Sequence, residues 1–266
     1  MSPRTQRGVK SEGRMSLGQH LLEIRKRLFI SAIAVVLFSI AGWFVTGPVF
    51  DAIQEPVRAM SKSHQASINF AGIGTAFDIR LQIAFTIGAV VSSPIWLYQV
   101  FAFLVPGLTK KEKRYTFGFF FTAIPLFLAG CAAGWYIFPH IVGVLGSFVP
   151  TGSASLIEAR DYLSFVLKLV LAVGVAFVLP VFLVLLNFLG IVSAKAIIVG
   201  WRWAILLIFI FCAVATPSAD VGSMFLLSAP MIVLYFAAAG VAGWHDRVAR
   251  KRSEALSDDL SGRKTA

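Results

Sequence analysis

The stretch LQIAFTIGAVVSSPIWLYQVFAFLV, residues 81–105, carries no charged side chain over 25 positions. About 20 apolar residues are enough for a helix to cross the ~30 Å hydrocarbon core of a bilayer. Pro94 lies in the middle of this run, where its missing N–H removes one helical hydrogen bond and bends the helix. Ser92 and Ser93 can compensate by bonding to the freed backbone. The stretch therefore predicts a transmembrane helix that is bent near its middle.

The composition of the whole chain is that of a membrane protein. Of its 266 residues 58% are hydrophobic and 14% are charged, whereas soluble domains carry about 25% charged residues. Four further charge-free runs have at least 20 residues, and a fifth, 203–215, has only 13. We extend the short run back to residue 196 because Arg202 can snorkel and two tryptophans can lie at headgroup depth. We predict an all-α integral membrane protein with spans over about 28–47, 77–105, 115–138, 162–190, 196–215 and 221–244.

Prolines recur inside the predicted spans, at Pro125, Pro180 and Pro230 as well as Pro94. Proline is common in transmembrane helices in general. Four bent spans nevertheless predict a curved wall of helices more readily than a straight bundle. The two halves of the chain show no internal repeat, which weighs against the repeat architecture of secondary transporters.

Lysine and arginine are distributed unequally between the two sides of the membrane. With six spans both termini lie on one side, and that side collects 19 of the 24 lysines and arginines. The positive-inside rule then places both termini in the cytoplasm. The other side carries two sizeable loops, 48–75 and 139–161. The same rule, together with anionic lipid, explains the net charge of +11 without a nucleic-acid partner.

The two termini are expected to differ in structure. Residues 1–27 form a basic cytoplasmic segment, in which a capping box starts an amphipathic helix at about Leu17. Residues 28–244 form the six-span membrane domain. The polar tail, 245–266, is predicted to be a disordered basic cytoplasmic segment.

Catalytic signatures are missing from the sequence. It contains no GxxxxGK[ST] phosphate loop, no HExxH and no GxSxG, and its four histidines lack metal-ligand spacing. The only cysteines, Cys131 and Cys212, lie inside apolar runs, which argues against a disulfide framework or a metal cluster. We therefore predict neither an enzyme nor a bound cofactor.

Two glutamates on the predicted cytoplasmic side are each surrounded by cations. Glu23 lies in EIRKR and Glu112 lies in KKEKR. On a helix Glu23 has Lys26 at i+3 and Arg27 at i+4, so it can be an ordinary ion-pair partner that contributes about 0.3–0.5 kcal/mol. Alternatively the two carboxylates receive a cationic ligand together, since bidentate pairing with guanidinium distinguishes arginine from lysine. The residues alone leave both interpretations open.

Other charges near the spans have ordinary explanations. Asp78 and Arg80 are expected to be solvated separately at the interface, because residues at i and i+2 do not face each other on a helix. Lys168 is expected to snorkel. Glu158 and Asp161 suit the N-terminus of the fourth span electrostatically.

Four segments of the chain match a known pattern, namely HLLEIRKRL at 20–28, SSPIWLYQVFAFLVPGLTKKEKRY at 92–115, YLSFV at 162–166 and ATPSAD at 215–220. Together they resemble the TatC family, the large multi-span subunit of the twin-arginine protein translocase. The resemblance covers about 17–243, and its second segment is the most specific. The segment GLTKKEKRY and the basic tail are similar to the versions found in TatC proteins of high-GC Gram-positive bacteria.

This resemblance implies a fold and a function. TatC proteins are six kinked helices in a concave, glove-like arrangement in the bacterial cell membrane. They bind the twin-arginine signal peptides of folded cargo, and transport is driven by the protonmotive force. The implied partners are single-span TatA-like subunits, with or without TatB-like ones, twin-arginine precursor proteins, the lipid bilayer and further copies of the chain.

Position by position, the resemblance also assigns roles to individual residues. It assigns signal-peptide binding to Glu23, Arg25, Phe103 and Glu112, a loop role to Pro56 and Asp220, and partner contact to Thr216 and Met224. For Asp220, capping of the sixth helix stays an alternative. The chain departs from the family pattern at Val178, where many relatives carry a glutamate, and at Met224, where some carry a partner-docking glutamine. The missing glutamate at Val178 indicates either that partner subunits contact the concave groove of the fold in a different way or that a partner supplies the polar group itself.

Two other functions stay open at this stage. A small-solute secondary transporter would need paired or relayed charges at membrane depth, and the sequence offers none near the midplane. A purely structural membrane scaffold would not support twin-arginine-dependent export.

Overall fold

The computed structural model describes residues 17–64, 67–104, 110–147, 156–215 and 221–262. Helices make up most of this part of the chain, together with two short strands. In chain order the elements are α1 (Leu17–Trp43), α2 (Thr46–His64), β1 (Ser67–Asn69), α3 (Thr75–Val91), α4 (Ser93–Leu104), α5 (Lys110–Ser147), β2 (Leu156–Glu158), α6 (Ala159–Phe188), α7 (Ala194–Val199), α8 (Trp201–Ala215) and α9 (Val221–Gly262).

Long apolar helices dominate the fold, as the sequence predicts. Helices α5, α6 and α9 are each long and apolar enough to cross a bilayer, and the pairs α1–α2 and α3–α4 meet the same criterion as bent spans. Helix α8 is a shorter apolar helix of 15 residues. The prediction of one continuous helix over 196–215 is wrong, because the chain breaks between α7 and α8 at Gly200. Glycine is the weakest helix former after proline.

The bend predicted from Pro94 is present. Helices α3 and α4 meet at Ser92 with an angle of 57°. The Ala89 carbonyl accepts a hydrogen bond from Trp96 Nε1 at 2.9 Å and a longer one, of 3.5 Å, from Ser92 Oγ. The buried Ser93 Oγ has no hydrogen-bond partner in the described part of the chain. Trp96, rather than the serine pair, therefore makes the shorter side-chain hydrogen bond at the bend.

The segment 48–75, expected to be a loop, is largely helical. Helix α2 follows α1 after a bend of 78°. It buries Ile53 and Val57, which are four residues apart and belong to the same apolar cluster as residues of α5 and α6. Tyr162 Oη donates to the Ile53 carbonyl at 2.6 Å. The expectation failed because α2 is amphipathic, so its apolar residues never form a long uninterrupted run.

Strands β1 and β2 form a parallel pair between segments far apart in the sequence. Ser67 pairs with Leu156, Ile68 with Ile157, and Asn69 with Glu158. The pair links the segment after α2 to the start of α6, whose N-cap is Glu158 without a side-chain capping bond. It therefore fixes one end of the helix bundle.

Asp78 and Arg80 have separate partners, but the expectation that both are simply solvated is wrong. Asp78 forms an ion pair with Arg160 at the start of α6, with an N–O distance of 3.5 Å. Arg80 Nε donates to Thr46 Oγ1 at 3.0 Å, and its guanidinium lies 5.0 Å from the centroid of the Trp43 ring. These contacts join α3 to α6 and to the turn between α1 and α2.

Helices α5 and α6 approach each other closely through glycines. A Cβ atom added to Gly130 would lie 2.8 Å from the Val173 carbonyl oxygen and 2.9 Å from Gly174 Cα. A Cβ atom added to Gly174 would lie 2.9 Å from Phe127 Cε2. Small residues at such crossings allow two backbones in a membrane to pack directly against each other.

Helix α9 continues beyond its apolar run as far as Gly262. The prediction of a disordered tail is therefore wrong for 245–262. This part of the chain is rich in helix-favouring residues, and Arg250 Nε lies 3.6 Å from Glu254 Oε1 in an i,i+4 ion pair. Both features support a helix that leaves the membrane without a break.

Candidate signal-binding site

Glu23 and Arg27 form an ion pair on one face of α1. Arg27 Nη2 lies 2.5 Å and Nε 3.1 Å from Glu23 Oε1, so the guanidinium donates twice to the same oxygen. Arg27 Nη1 also donates to Gln99 Oε1 on α4 at 3.4 Å. The i,i+4 ion pair predicted for Glu23 is therefore present, and its arginine also connects α1 to α4.

The second carboxylate oxygen of Glu23 has no donor. Oε2 is buried, and the described residues provide no hydrogen-bond partner for it. A buried acceptor that lacks a donor costs about 1–3 kcal/mol. An incoming N–H group that reaches this oxygen would recover that cost. The Glu23 carboxylate thus has one oxygen bound to Arg27 and one without a donor among the described residues.

An aromatic cavity of about 170 Å³ lies beside Arg27 and between α4 and α5. Tyr98 and Phe101 line it from α4, and Phe117 and Phe120 line it from α5. The rings of Tyr98 and Phe120 meet edge to face with centroids 5.6 Å apart. These contacts hold α4 in place, and α4 in turn carries the glutamine that binds Arg27.

Other residues assigned to signal-peptide binding lie on neighbouring helix ends. Arg25 is exposed on α1, and Phe103 is partly exposed near the end of α4. Glu112 lies in the first turn of α5, and the structure describes its backbone but not its side chain. Helix α4 packs against both α1 and α5, through the bond of Gln99 to Arg27 on one side and the contact of the Tyr98 ring with the Phe117 ring on the other.

The structure also places the residues assigned to loops and partners. Pro56 is half-buried inside α2 rather than in a loop. Met224 is partly buried on α9 and packs against the main apolar cluster. Thr216 and Asp220 lie outside the described residues. Val178 is 3% exposed in the cluster that contains Leu97 and Phe101, so this position faces helix packing rather than an open groove.

Sequence reasoning missed Gln99, which fixes Arg27 from α4. The signal was present, since Gln99 is the one amide side chain between Pro94 and Val105 in an otherwise apolar segment. A lone polar side chain in a spanning segment usually finds a partner on a neighbouring helix. The partner could not be identified because it lies 72 positions away.

A second polar cluster joins α6, α7 and α9 where α6 ends. Asp246 Oδ2 accepts a hydrogen bond from the Ala194 amide at 2.8 Å, and Oδ1 accepts one from Asn187 Nδ2 at 3.0 Å. Burial raises the pKa of Asp246, but these hydrogen bonds and the adjacent His245 outweigh burial and hold the pKa below its ordinary value. The His245 ring stacks on Phe188 with centroids 3.8 Å apart. Asp246 therefore caps α7 from α9.

Asp246→Asn is expected to lower the free energy of unfolding by about 1–2 kcal/mol near neutral pH. Each carboxylate oxygen of Asp246 accepts one hydrogen bond, and asparagine keeps only one of these two oxygens. The pKa of Asp246 is lowered on folding, so its stabilisation is present above the unfolded pKa of about 3.9 and is lost as the pH falls through the folded value. The difference between wild type and variant should therefore shrink only below about pH 4. Unfolding of the protein in detergent at several pH values measures this difference in the free energy of unfolding. Asp51→Asn, at an exposed position, is the control. A difference independent of pH would contradict the assignment.

These features define a multi-span helical membrane protein with a polar cluster of Glu23, Arg27 and Gln99 between α1 and α4. Within the described residues no three His, Cys, Asp or Glu side chains could hold a metal ion together. The family profile described as Sec-independent protein translocase protein (TatC) matches residues 19–230. The chain belongs to the TatC family. It is a translocase component and not an enzyme.

Individual relatives agree with this family over most of their length. TatC of Xylanimonas cellulosilytica is 46% identical over 242 residues, which cover 90% of this chain and 88% of the relative. TatC of Rothia mucilaginosa is 37% identical over 244 residues, which cover 91% and 83%. Both organisms agree with the predicted high-GC Gram-positive group.

A solved structure confirms the fold. The crystal structure described as Twin Arginine Translocase Receptor TatC matches with a TM-score of 0.72 at 27% identity, over 85% of this chain and 98% of that one. The prediction of six kinked membrane helices in the concave TatC arrangement is thereby confirmed. Membership of the TatC family replaces the alternative function of a small-solute secondary transporter.

Proposed function

We propose that this chain is the receptor of a twin-arginine translocase, which binds the twin-arginine signal peptides of folded cargo. It would also organise TatA-type and TatB-type single-span subunits for export driven by the protonmotive force. Both termini would lie in the cytoplasm, in agreement with the distribution of lysine and arginine. The observation that carries the proposal is the buried, unpaired Oε2 atom of Glu23.

The geometry around Glu23 favours arginine over lysine as a ligand. A guanidinium presents its N–H donors as a planar fork, whereas an ammonium is a compact point charge. A signal-peptide arginine can donate to Oε2 while Arg27 keeps Oε1, or it can replace Arg27 on both oxygens. Binding then depends on directional hydrogen bonds rather than on net charge, because Arg25 and Lys26 are exposed beside Glu23 and repel cations in general.

The second arginine of the motif is assigned to Glu112. This glutamate lies in the first turn of α5, and α4 packs against both α5 and α1. A carboxylate at a helix N-terminus is also stabilised by the helix dipole. The carboxylates of Glu23 and Glu112 would each bind one of the two neighbouring arginines of the signal peptide. The matched crystal structures are described as twin-arginine translocase receptors, which supports the same role here.

Replacing both arginines of a signal peptide by lysine is expected to weaken binding at least about tenfold, because the bidentate bonds are lost while the charge is kept. A fluorescently labelled peptide titrated onto the purified full-length protein in lipid nanodiscs measures this ratio. Glu23→Gln should lower the ratio, and Glu55→Gln on α2 should leave it unchanged. Equal affinities of the two peptides for the wild type would exclude bidentate recognition.

A further inference from the structure

An open apolar groove of about 480 Å³ is lined by α6, α7, α8 and α9. Helices α6 and α8 both pack against α9, which contributes Met231 and Tyr235 to the groove, and α7 contributes Ala196 and Ile197. Leu207 of α8 lines the groove and is 64% exposed, so the groove is open to the surroundings of the helices. At membrane depth those surroundings are lipid.

The lining of this groove suits a hydrocarbon chain. Among the described residues that line it, only Tyr235 has a polar side chain, and its Oη already donates to the Ile197 carbonyl at 2.6 Å. A helix with its side chains is about 10–12 Å across, so a space of this volume would enclose only about one turn of a helix. A hydrocarbon chain is thinner and needs no hydrogen bond. The groove therefore fits one acyl chain of a lipid better than a partner helix.

Three exposed cations lie near the end of the groove that α7 lines. Lys195 lies on α7, Arg202 near the start of α8 and Arg247 on α9. The hydrogen bond from the Ala194 amide to Asp246 Oδ2 joins the residues directly before Lys195 and Arg247. Helix α8 packs against both α7 and α9. The three cations therefore belong to the same end of the helix bundle.

No carboxylate in the described part of the chain forms an ion pair with these three cations. The ion pairs that the structure describes involve other cations. Asp246, next to one of the three, already accepts hydrogen bonds from the Ala194 amide and from Asn187. The guanidinium of Arg202 lies 5.7 Å from the centroid of the Trp201 ring, and tryptophan is enriched at the headgroup level of membranes. Arg202 therefore lies at the depth of lipid phosphates.

We propose that this groove and its cations form a binding site for one anionic phospholipid. One acyl chain lies in the groove, and the headgroup phosphate binds Lys195 and Arg202, with Arg247 adding to the positive charge. Basic pockets between transmembrane helices bind anionic headgroups in this way. A zwitterionic headgroup carries its own cation, which the three cations repel. The site therefore selects its lipid by net charge, while the groove holds the chain.

Two photoreactive lipids test the proposal on the full-length protein. One is a phosphatidylglycerol and the other a phosphatidylcholine, and both carry the same diazirine in the middle of one acyl chain. Each is added at the same low fraction to phosphatidylcholine nanodiscs that contain the protein, and mass spectrometry locates the label after illumination. Labelling of the groove at Leu183 and Leu207 should be at least about tenfold greater with phosphatidylglycerol. Equal labelling by the two lipids would overturn the proposal.

The exposed face of α1 provides an internal reference. Ile33 and Leu37 are exposed and lie outside the groove, so both lipids should label them to a similar extent. A phosphatidylglycerol excess on α1 as large as that in the groove would reveal a general attraction to a basic protein and overturn the specific site.

Variants of the cations test the headgroup contact. Lys195→Gln combined with Arg202→Gln should remove most of the preference for phosphatidylglycerol in the groove. Lys168→Gln removes an exposed cation from the first half of α6 and should leave the preference unchanged. A preference that survives in the double variant would overturn the role of the two cations.

Filling the groove tests the position of the acyl chain. Leu207→Trp should largely abolish the labelling of Leu183, because the larger side chain occupies the space of the lipid chain. Leu206→Trp is the matched control, since Leu206 is exposed and does not line the groove. Undiminished labelling in Leu207→Trp would place the chain elsewhere and overturn the proposal. Displacement of the phosphatidylglycerol by a leucine–alanine transmembrane peptide would identify a helix as the occupant and overturn the choice of a lipid.

Discussion

Replacing Glu23 and Glu112 together by glutamine should reduce export of a folded twin-arginine reporter by at least about 100-fold. Each carboxylate is proposed to accept hydrogen bonds from one signal-peptide arginine, and a hydrogen bond to a charged group contributes about 1.5–3 kcal/mol. Each tenfold change in an equilibrium constant corresponds to about 1.4 kcal/mol, so the two losses together reach this factor. Glutamine keeps the shape of the side chain but replaces one acceptor oxygen by a donor.

Glu23→Gln alone should be milder than the double variant. The remaining amide oxygen can still accept from Arg27, so the contact between α1 and α4 through Gln99 persists. What is lost is the second oxygen, which is the atom that the structure leaves buried and unpaired. The double variant removes both proposed contacts while leaving the helices intact.

The measurement is made in cells that lack their own TatC and carry compatible single-span subunits. Export of the reporter is compared at equal membrane levels of each variant, with Glu55→Gln on α2 as the matched control. A photoreactive probe at position 23 or 112 should also crosslink to a signal peptide, whereas a probe at 55 should not. Unimpaired export by the double variant would show that these two residues are not the receptor site.

Local sequence patterns predicted the elements whose causes are local. The bend between α3 and α4 at Ser92 follows from Pro94, two residues later. The ion pair of Glu23 with Arg27 follows from i,i+4 spacing on one helix. In each case the responsible residues lie within a few positions of one another.

Features that depend on distant partners could not be predicted. The pairing of Ile68 with Ile157 depends on where α5 returns the chain. Gln99 is recognisable in the sequence only as a lone amide in an apolar segment, and the roles of Gln99 and Asp246 come from residues 72 and 52 positions away. The unpaired oxygen of Glu23 is likewise visible only once neighbouring helices have enclosed the side chain. The identities of the site carboxylates were thus accessible, but their hydrogen bonding was not.

Gly130→Leu is expected to prevent the chain from reaching its folded state. The first added carbon alone would lie 2.8 Å from the Val173 carbonyl oxygen and 2.9 Å from Phe177 Cβ, and the backbone of α6 cannot yield as a flexible side chain would. Inserting extra methylene groups into a well-packed core costs about 1–3 kcal/mol. A leucine at the crossing adds a whole branched side chain and forces α5 and α6 apart along buried surface.

The matched control is Gly143→Leu in the same helix, because a Cβ atom at Gly143 meets nothing within 4 Å. Both variants add the same apolar side chain and the same gain in helix propensity to α5. Size-exclusion chromatography in detergent should give a monodisperse peak for the wild type and Gly143→Leu, and aggregate or no protein for Gly130→Leu. Folded Gly130→Leu with normal thermal stability would contradict the close α5–α6 crossing. Since α6 ends beside Asp246, the crossing also sets the position of this polar cluster relative to α5.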